Sequence, residues 1–160
     1  MPIKVGDHLP SVKFRVGTPD GPAWKTTDEI FKGKKVALFA VPGAFTGTCH
    51  KMHVPSILQS ADAIKGKGVD TIAVTSVNDV FVMDAWKKAT AADKIEFLAD
   101  GNGDFAKAVD LSFDGSGNGL GTRSKRYSML VEDGVVKKLN IEESPGKVEV
   151  SGGDTLLKQL

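Results

Sequence analysis

The chain has 160 residues, of which 41% are hydrophobic, and its 21 basic side chains nearly balance 20 acidic ones, giving a net charge of +1. This length predicts one domain, over residues 1–160, with one hydrophobic core. The near-neutral charge gives no basis for a nucleic-acid or membrane partner, and no apolar run approaches the roughly 20 residues that span a bilayer.

The first predicted strand covers residues 34–42, where KKVALFAVP is a nearly continuous apolar run, typical of a strand buried on both faces. A Pro-Gly turn ends it. Thr46 or Thr48 is expected to cap the helix that follows, which ends in the GKG sequence at 66–68. Pro55 lies inside that helix and is expected to kink it.

Two further strand–helix units follow along the chain. Buried strands are predicted over 69–77 and 95–100. A helix capped by Asn78 or Asp79 follows the first of them, over 80–90, and a short helix over 103–111 follows the second. Strands that alternate with helices in this way form parallel units of one sheet.

The last third of the chain changes pattern. A glycine-rich loop covers 114–121, and two alternating runs over 126–142 predict a β-hairpin around the Asp133-Gly134 turn. A terminal helix over 152–160 is expected to be capped by Asp154. The complete order predicts an α/β domain with a central mixed β-sheet flanked by helices.

Cys49 is the only cysteine and lies in PGAFTGTCHKMHVP, at the start of a predicted helix that follows a strand. A lone cysteine is often only a buried core residue. At a helix start, however, unpaired backbone N–H groups and the helix dipole stabilise a thiolate, which is the reactive form. One cysteine excludes an internal disulfide and a CxxC redox pair, so an oxidised Cys49 would need a thiol from another molecule.

Three other side chains are candidates for the same site. Thr46 is either a helix cap or a hydroxyl that accepts a hydrogen bond from a substrate and donates one to a thiolate. Pro42 either ends the strand or forms an apolar wall that shields the thiolate from water. Arg126 begins an apolar strand within the basic cluster LGTRSKRYSML. Its guanidinium can therefore reach a cleft, stabilise a thiolate and hold an oxygen substrate.

His50 and His53 flank Cys49, and two other chemistries use such groups. A zinc site is disfavoured, because one thiolate and two histidines on one short helical stretch do not surround a metal well. A cysteine hydrolase usually takes its base from elsewhere in the fold. The glycine-rich loop at 114–121 does not open a helix and is a poor nucleotide loop. We therefore expect neither a metal nor a cofactor.

These residues resemble the peroxiredoxins, whose active-site motif is Pro-x-x-x-Thr-x-x-Cys. The longer match, PGAFTGTC followed by HVP, is similar to the type II subfamily, also called type five. The resemblance covers nearly the whole chain, through KGKKVALFAVPGAFT, SVNDVFVMDAW, IEFLADGNGDF, LGTRSKRYSMLVEDG and VKKLNIEE in the family's order and spacing. It implies a thioredoxin-like fold and a thiol-dependent peroxidase that reduces hydrogen peroxide and organic hydroperoxides.

The resemblance also implies the roles of four residues. Cys49 falls on the peroxidatic cysteine, which is oxidised to sulfenic acid, and Thr46 falls on the threonine that hydrogen-bonds peroxide and thiolate. Pro42 falls on the shielding proline, and Arg126 falls on the family's active-site arginine. Peroxide binding is thereby expected at Thr46, Cys49 and Arg126. His53 matches a position common in the subfamily, without a settled catalytic role.

Three positions depart from patterns common in the family. Gly47 stands where many relatives have proline, a feature shared with the mitochondrial plant branch. Val74 and Val150 stand at places where some relatives carry a second, resolving cysteine. The chain therefore resembles a one-cysteine enzyme regenerated by an external thiol, either glutathione with glutaredoxin or thioredoxin. Since relatives often form dimers through a surface near the active site, we expect a homodimer.

Two other functional classes stay open on the sequence. A thioredoxin-fold binding or chaperone-like protein would have a thiol of ordinary reactivity. A cysteine hydrolase would cleave esters or amides without any peroxide.

The first ten residues, MPIKVGDHLP, lack the apolar segment of a secretory signal. A cytoplasmic protein is therefore expected. A mature organellar form with its presequence removed would have the same sequence.

Overall fold

In a computed structural model of the chain, which describes residues 2–160, seven strands form one mixed sheet and two short strands form a separate hairpin. The strands are β1 (Lys13–Thr18), β2 (Gly21–Thr26), β3 (Lys35–Ala40), β4 (Thr71–Ser76), β5 (Glu96–Ala99), β6 (Ser112–Asp114), β7 (Thr122–Ser124), β8 (Tyr127–Glu132) and β9 (Val135–Ile141). The helices are α1 (Thr27–Phe31), α2 (Val54–Gly66), α3 (Val80–Ala89), α4 (Asp104–Ala108) and α5 (Gly153–Lys158). A π-helical turn covers Cys49–His53 and a 3₁₀ turn covers Ser116–Asn118.

The large sheet has the strand order β2-β1-β5-β4-β3-β8-β9. Its three central strands, β3, β4 and β5, are parallel to one another. β8 runs antiparallel to β3, and β1 runs antiparallel to β5. The predicted α/β class with a central mixed sheet flanked by helices is therefore confirmed.

Helices cover both faces of the sheet, which explains the nearly continuous apolar run of β3. Successive side chains of a strand point to opposite faces. Ala37 and Phe39 belong to the hydrophobic cluster on the side of α2, α3 and α5. Val36 and Leu38 belong to a second cluster, on the side of α1 and α4. Because both faces are buried, the polar side chain of β3 is confined to its first residue, Lys35, and every position after it is buried and apolar.

The predicted strands and helices that follow β3 are present, each shorter than predicted. Asp79 caps α3 by accepting from the Val82 N–H at 2.9 Å, as expected for this residue. Asp133 and Gly134 form the β8–β9 turn with φ angles of 49° and 78°, as a two-residue hairpin turn requires. Within residues 2–160, no helix has the length and apolar character needed to cross a membrane.

Thr48 occupies the cap position before the π-helical turn, but the predicted side-chain cap is wrong for both threonines. The Thr46 hydroxyl donates to the Gly43 carbonyl at 2.7 Å and the Thr48 hydroxyl donates to the Gly146 carbonyl at 2.9 Å, so neither side chain makes a cap hydrogen bond. Pro55 lies in the first turn of α2, directly after the π-helical turn. Since Pro55 cannot donate to the carbonyl four residues earlier, regular α-helix starts only at this point.

The predicted cap of the terminal helix is also wrong. Gly152 occupies the cap position of α5, and Asp154 lies inside its first turn. Here the chain approaches α2 closely, and the Gly153 N–H donates to the Ser56 hydroxyl at 2.7 Å. A Cβ at Gly153 would meet the Ser56 carbonyl oxygen at 2.7 Å, so only glycine fits this approach. The capping group therefore comes from another helix.

Three elements near the amino terminus, β1, β2 and α1, were not predicted. β1 and β2 form an edge hairpin, and their alternation is weak because both strands are largely exposed. α1 follows at once with a capping box. The Thr26 hydroxyl accepts from the Glu29 N–H at 3.2 Å, and the Glu29 carboxylate accepts from the Thr26 N–H at 3.1 Å. The Thr-x-x-Glu spacing was a usable signal for this helix.

Candidate active site

Cys49 is the first residue of the π-helical turn, downstream of the carboxyl end of β3. Its side chain is fully buried in the hydrophobic cluster on the α2 side of the sheet. The Val54 N–H donates to the Cys49 carbonyl, and this bond across five residues defines the wider turn. Cys49 thus lies where the chain passes from a strand to a helix, as predicted, with a π-helical turn in place of an α-helical one.

Arg126 contacts Cys49 directly. It immediately precedes β8, and because Tyr127 pairs with Ala40 of β3, Arg126 lies at the same end of the sheet as the cysteine. Its Nη2 donates to Cys49 Sγ over 2.9 Å, and the side chain is only 2% exposed. The structure therefore brings together the cysteine and the arginine that the sequence singled out.

Three further hydrogen bonds fix the Arg126 guanidinium. Nε and Nη2 each donate to the Pro145 carbonyl at 3.0 Å, and Nη1 donates to His53 Nδ1 at 2.9 Å. Both acceptor groups, the Pro145 carbonyl and the His53 ring, are neutral in charge. Burying a guanidinium without a negative partner is costly, so Arg126 would stabilise a negative charge on the sulfur atom beside it.

His53 is a neutral acceptor for Arg126. Its side chain is fully buried, and burial, followed by the positive charge of Arg126, lowers its pKa to about 4 from the ordinary 6.5. The Ser151 carbonyl and the Glu142 charge oppose this shift. Since Nδ1 accepts from Arg126, Nε2 carries the proton and donates to the Ser151 carbonyl at 2.8 Å.

The histidines do not form a hydrolase pair with the cysteine. Both ring nitrogens of His53 are engaged, by Arg126 and by Ser151. The His50 Nδ1 accepts from the Trp86 indole N–H at 3.0 Å. In the part of the chain that the structure describes, the hydrogen bond to Cys49 Sγ comes from Arg126. This arrangement places a cationic donor beside the sulfur atom and does not supply a general base.

Glu142 holds the segment that covers Arg126 and His53. One carboxylate oxygen accepts from the N–H groups of Glu149, Val150 and Ser151 at 2.9, 2.9 and 2.7 Å, and from the Ser151 hydroxyl at 2.6 Å. Burial alone would raise the pKa of Glu142, but these hydrogen bonds outweigh it and lower the pKa. A continuous series of contacts therefore runs from Cys49 through Arg126, His53 and Ser151 to Glu142. Its last two members, Ser151 and Glu142, were not predicted from the sequence.

Thr46 and Pro42 lie on the loop between β3 and Cys49. The Thr46 hydroxyl donates to the Gly43 carbonyl, which leaves its oxygen lone pairs able to accept from a substrate. Its predicted hydrogen bond to the thiolate is not among the contacts of residues 2–160. Pro42 is buried, and its carbonyl accepts from Arg123 Nη1 at 3.3 Å.

Asn78 anchors this loop from the neighbouring strand end. Its side-chain oxygen accepts from the Ala44 N–H at 2.9 Å and from the Ser76 hydroxyl at 2.6 Å. Phe45, which follows Ala44 in the loop, has a φ of 62°, an uncommon backbone conformation for a bulky side chain. The loop is thus held in a strained shape that turns the Phe45 ring outward, where it is 48% exposed.

A cavity of about 480 Å³ lies away from Cys49. It is lined by residues of β1, β2, α3 and β5, among them Trp24 and Asp84. None of the four predicted site residues lines it. The functional assignment therefore rests on the chemistry around Cys49 and not on cavity size.

Comparisons with known proteins agree with this geometry. The Redoxin family model matches residues 4–157. The rice protein peroxiredoxin-2C is 45% identical over 163 residues, covering 99% of both chains. The hybrid peroxiredoxin hyPrx5 of Haemophilus influenzae is 46% identical, and the match covers 97% of this chain and 65% of that longer protein.

A crystal structure of reduced Prx3 from Vibrio vulnificus in complex with hydrogen peroxide superimposes with a TM-score of 0.94. The two chains are 47% identical, and 98% of each is covered. The fold is therefore the thioredoxin-like fold of this family. The chain belongs to the peroxiredoxins, which are thiol-dependent peroxidases.

Proposed function

We propose that Cys49 is the peroxidatic residue of this peroxidase. The observation that carries the proposal is the 2.9 Å hydrogen bond from Arg126 Nη2 to Cys49 Sγ in a fully buried site. In that position a guanidinium stabilises the thiolate before reaction and the developing charge during it. Hydrogen peroxide is the simplest substrate, and the similar Vibrio protein has been crystallised with it.

The reaction begins when the Cys49 thiolate attacks one oxygen of a hydroperoxide, ROOH. An S–O bond forms and the O–O bond breaks, and the other oxygen leaves as RO⁻, which takes a proton to become ROH or water. Sulfur is oxidised to the sulfenic acid. Arg126 supplies charge, the Thr46 hydroxyl positions the peroxide, and Pro42 limits the access of water.

An external thiol then regenerates Cys49, because the chain has no second cysteine. The first thiol condenses with the sulfenic acid to give a mixed disulfide and water. A second thiol attacks that disulfide, which releases Cys49 and an oxidised dithiol product. We propose glutathione with glutaredoxin, or thioredoxin, as the reductant. Because Cys49 has no exposed surface, its resolution requires movement of the covering segment.

Peroxide turnover with each reductant tests the proposal. Wild-type protein should consume hydrogen peroxide and an organic hydroperoxide when glutathione and glutaredoxin, or thioredoxin and its reductase, are supplied. Cys49→Ser should abolish turnover while retaining the thermal unfolding profile. Turnover near the wild-type rate in the Cys49→Ser protein would rule out the scheme.

We also propose a homodimer formed through the surface beside the active site. Phe45 and Phe81 are 48% and 71% exposed, and both lie next to α3, since the Phe45 ring is 6.3 Å from that of Trp86. Exposed aromatic rings of this kind mark interaction surfaces. Light scattering after size exclusion should give a dimer for the wild type and a monomer for Phe81→Ser. Val5→Ser, at an exposed apolar side chain beside β9 on the opposite edge of the sheet, is the matched control and should stay dimeric.

For the compartment we propose the cytoplasm. A peroxidase that depends on an external thiol requires a compartment in which thiols are kept reduced, and the cytosol is such a place. Cell fractionation with an antibody against the protein distinguishes this from an organellar location. We further propose that residues 1–160 act as one peroxidase domain, which the matched range of the family model supports.

A further inference from the structure

Arg123 is a second arginine near the active site, and the proposed mechanism does not use it. It belongs to β7, in the small hairpin, and its side chain is half-buried. Nε donates to the Leu120 carbonyl at 2.9 Å, and Nη1 donates to the Pro42 carbonyl at 3.3 Å. These two bonds fix the guanidinium against the loop that carries Thr46.

Gly43 shows how close Arg123 is to Thr46. A Cβ at Gly43 would meet Arg123 Nη1 at 2.8 Å and Thr46 Cγ2 at 2.9 Å. The guanidinium and the threonine side chain therefore face each other across the position that a larger residue would fill. Glycine at this position is what permits the arginine to approach the loop.

Within residues 2–160, no ion pair neutralises the charge of Arg123. Both of its acceptors are backbone carbonyls, and the ion pairs of residues 2–160 do not include it. A guanidinium has five N–H donors, so several stay available beyond these two bonds. None of its nitrogen atoms is buried without a partner, so the free donors face solvent. Arg126, in contrast, donates its hydrogen bonds to buried groups.

A fixed, half-buried guanidinium with free donors is suited to binding a carboxylate. We propose that Arg123 binds the carboxylate of a small organic molecule while the reactive group of that molecule enters the Cys49 site. The ligand class is thus a hydroperoxide or a thiol that carries a carboxylate on a short arm. This inference rests on the proposed function of Cys49 for its reactive step, and it adds a residue that selects among substrates.

The test compares matched pairs of compounds that differ only in the carboxylate. One pair is a tertiary hydroperoxide bearing a propanoate arm and its methyl ester, used to oxidise reduced protein. The other pair is mercaptopropionate and its methyl ester, used to reduce the sulfenic acid. The measured quantity is the ratio of the acid rate constant to the ester rate constant within each protein. A general loss of reactivity cancels in this ratio.

Wild-type protein should prefer the acid in one pair or both, and Arg123→Gln should lower that ratio by about threefold to tenfold, as expected for a partly exposed charge pair. Arg123→Lys should keep part of the preference, because it keeps the charge without the fork. Lys125→Gln makes the same change of net charge at an exposed neighbour and should leave the ratio near the wild-type value. A change in the hydroperoxide pair alone assigns the carboxylate to the oxidant, and a change in the thiol pair alone assigns it to the reductant.

An Arg123→Gln protein with the wild-type ratio in both pairs would overturn the proposal. If that variant does not fold, the wild type alone decides, because the preference for the acid must fall as salt is raised. A preference for the acid that is absent, or insensitive to salt, also overturns it. The rate of Cys49 alkylation by iodoacetate, divided by the rate with uncharged iodoacetamide, is a corresponding ratio that needs no peroxide. A failure of peroxidase activity is thereby distinguishable from a failure of carboxylate binding.

Discussion

The two sides of Cys49 are built in different ways. We call the first the closed side, made of Arg126, His53, Ser151 and Glu142; its side chains are less than a tenth exposed. We call the second the open side, the Pro42–Thr46 loop with Arg123, where Phe45 is 48% exposed. Hydrogen bonds connect each member of the closed side to the next. On the open side, the remaining Arg123 donors and the Phe45 ring face solvent.

This difference separates two tasks of a peroxidase. The closed side keeps a positive charge fixed beside sulfur, and such preorganised charge is effective only where water is excluded. In the proposed function the open side admits the substrates, and its groups without a protein partner are available to bind them. We therefore expect changes on the closed side to affect every substrate and the stability of the fold. Changes on the open side should be smaller and depend on the substrate.

The largest effect is expected for Arg126→Gln, which removes the charge beside sulfur. The second-order rate constant with hydrogen peroxide should fall by about 10²–10³, the cost of removing one preorganised donor. Stopped-flow oxidation of reduced protein measures it, with thermal unfolding as a check of folding. Lys125→Gln, one residue away and exposed, is the control for net charge. A loss of less than threefold in the Arg126→Gln protein would remove Arg126 from the mechanism.

The next effect concerns stability and comes from His53. Its pKa is about 4 in the folded protein and 6.5 as an ordinary side chain, so the unfolded chain binds more protons between these values. The stabilising contribution is complete above pH 6.5 and is lost as the pH falls toward 4, by about 3 kcal/mol for a shift of this size. Urea unfolding at a series of pH values measures it.

His53→Gln isolates this contribution, because glutamine does not titrate. As the pH falls from 6.5 to 4, the unfolding free energy of the wild type should therefore decrease more than that of the variant. The effect of Glu142 lies at lower pH, since its pKa is below the ordinary carboxyl value. Parallel pH profiles for the two proteins would contradict the neutral, buried state assigned to His53.

On the open side, Thr46→Val should reduce the rate of peroxide attack by roughly tenfold to a hundredfold, because it removes a hydroxyl that positions the substrate. The side chain keeps its shape, and the hydroxyl is only half-buried, so stability should change little. Thr46→Ser keeps the hydroxyl and should retain most of the rate. Equal rates for the valine and serine variants would show that the hydroxyl has no part in the reaction.

The smallest effect is expected for Gly43→Ala. Its added methyl group would lie 2.8 Å from Arg123 Nη1 and 2.9 Å from Thr46 Cγ2, so both side chains must shift. We expect a loss of about 1 kcal/mol of stability and a severalfold slower oxidation, by the usual cost of overpacking. At Gly47 an added Cβ meets nothing within 4 Å, which makes Gly47→Ala the matched control. Identical behaviour of the two alanine variants would contradict the close approach of Arg123.

Local patterns predicted the elements that follow β3 well, because buried strands and side-chain caps are encoded within a few residues. Asp79 and the Asp133-Gly134 turn are examples. The β1–β2 hairpin was missed because half-exposed strands have weak alternation. The cap of α5 was wrong because Ser56, far away in sequence, supplies the capping hydroxyl. No local pattern contains that information.

The site shows the same limit. The motif around Cys49 and the strand start at Arg126 were sufficient to select both residues, and the structure joins them. The partners that fix Arg126 come from positions 53 and 145, and Ser151 and Glu142 lie beyond them. These contacts depend on how the segment after β9 folds back over the sheet end. Sequence spacing alone does not determine that path.

The most direct test of the central claim is the reaction of reduced wild-type protein with one equivalent of hydrogen peroxide. Stopped-flow fluorescence gives the rate, and intact mass spectrometry gives the product. We predict attack by Cys49 many orders of magnitude faster than by free cysteine, with a gain of one oxygen atom. Attack no faster than free cysteine would contradict the account, because it would show that the site around Arg126 does not activate the thiol.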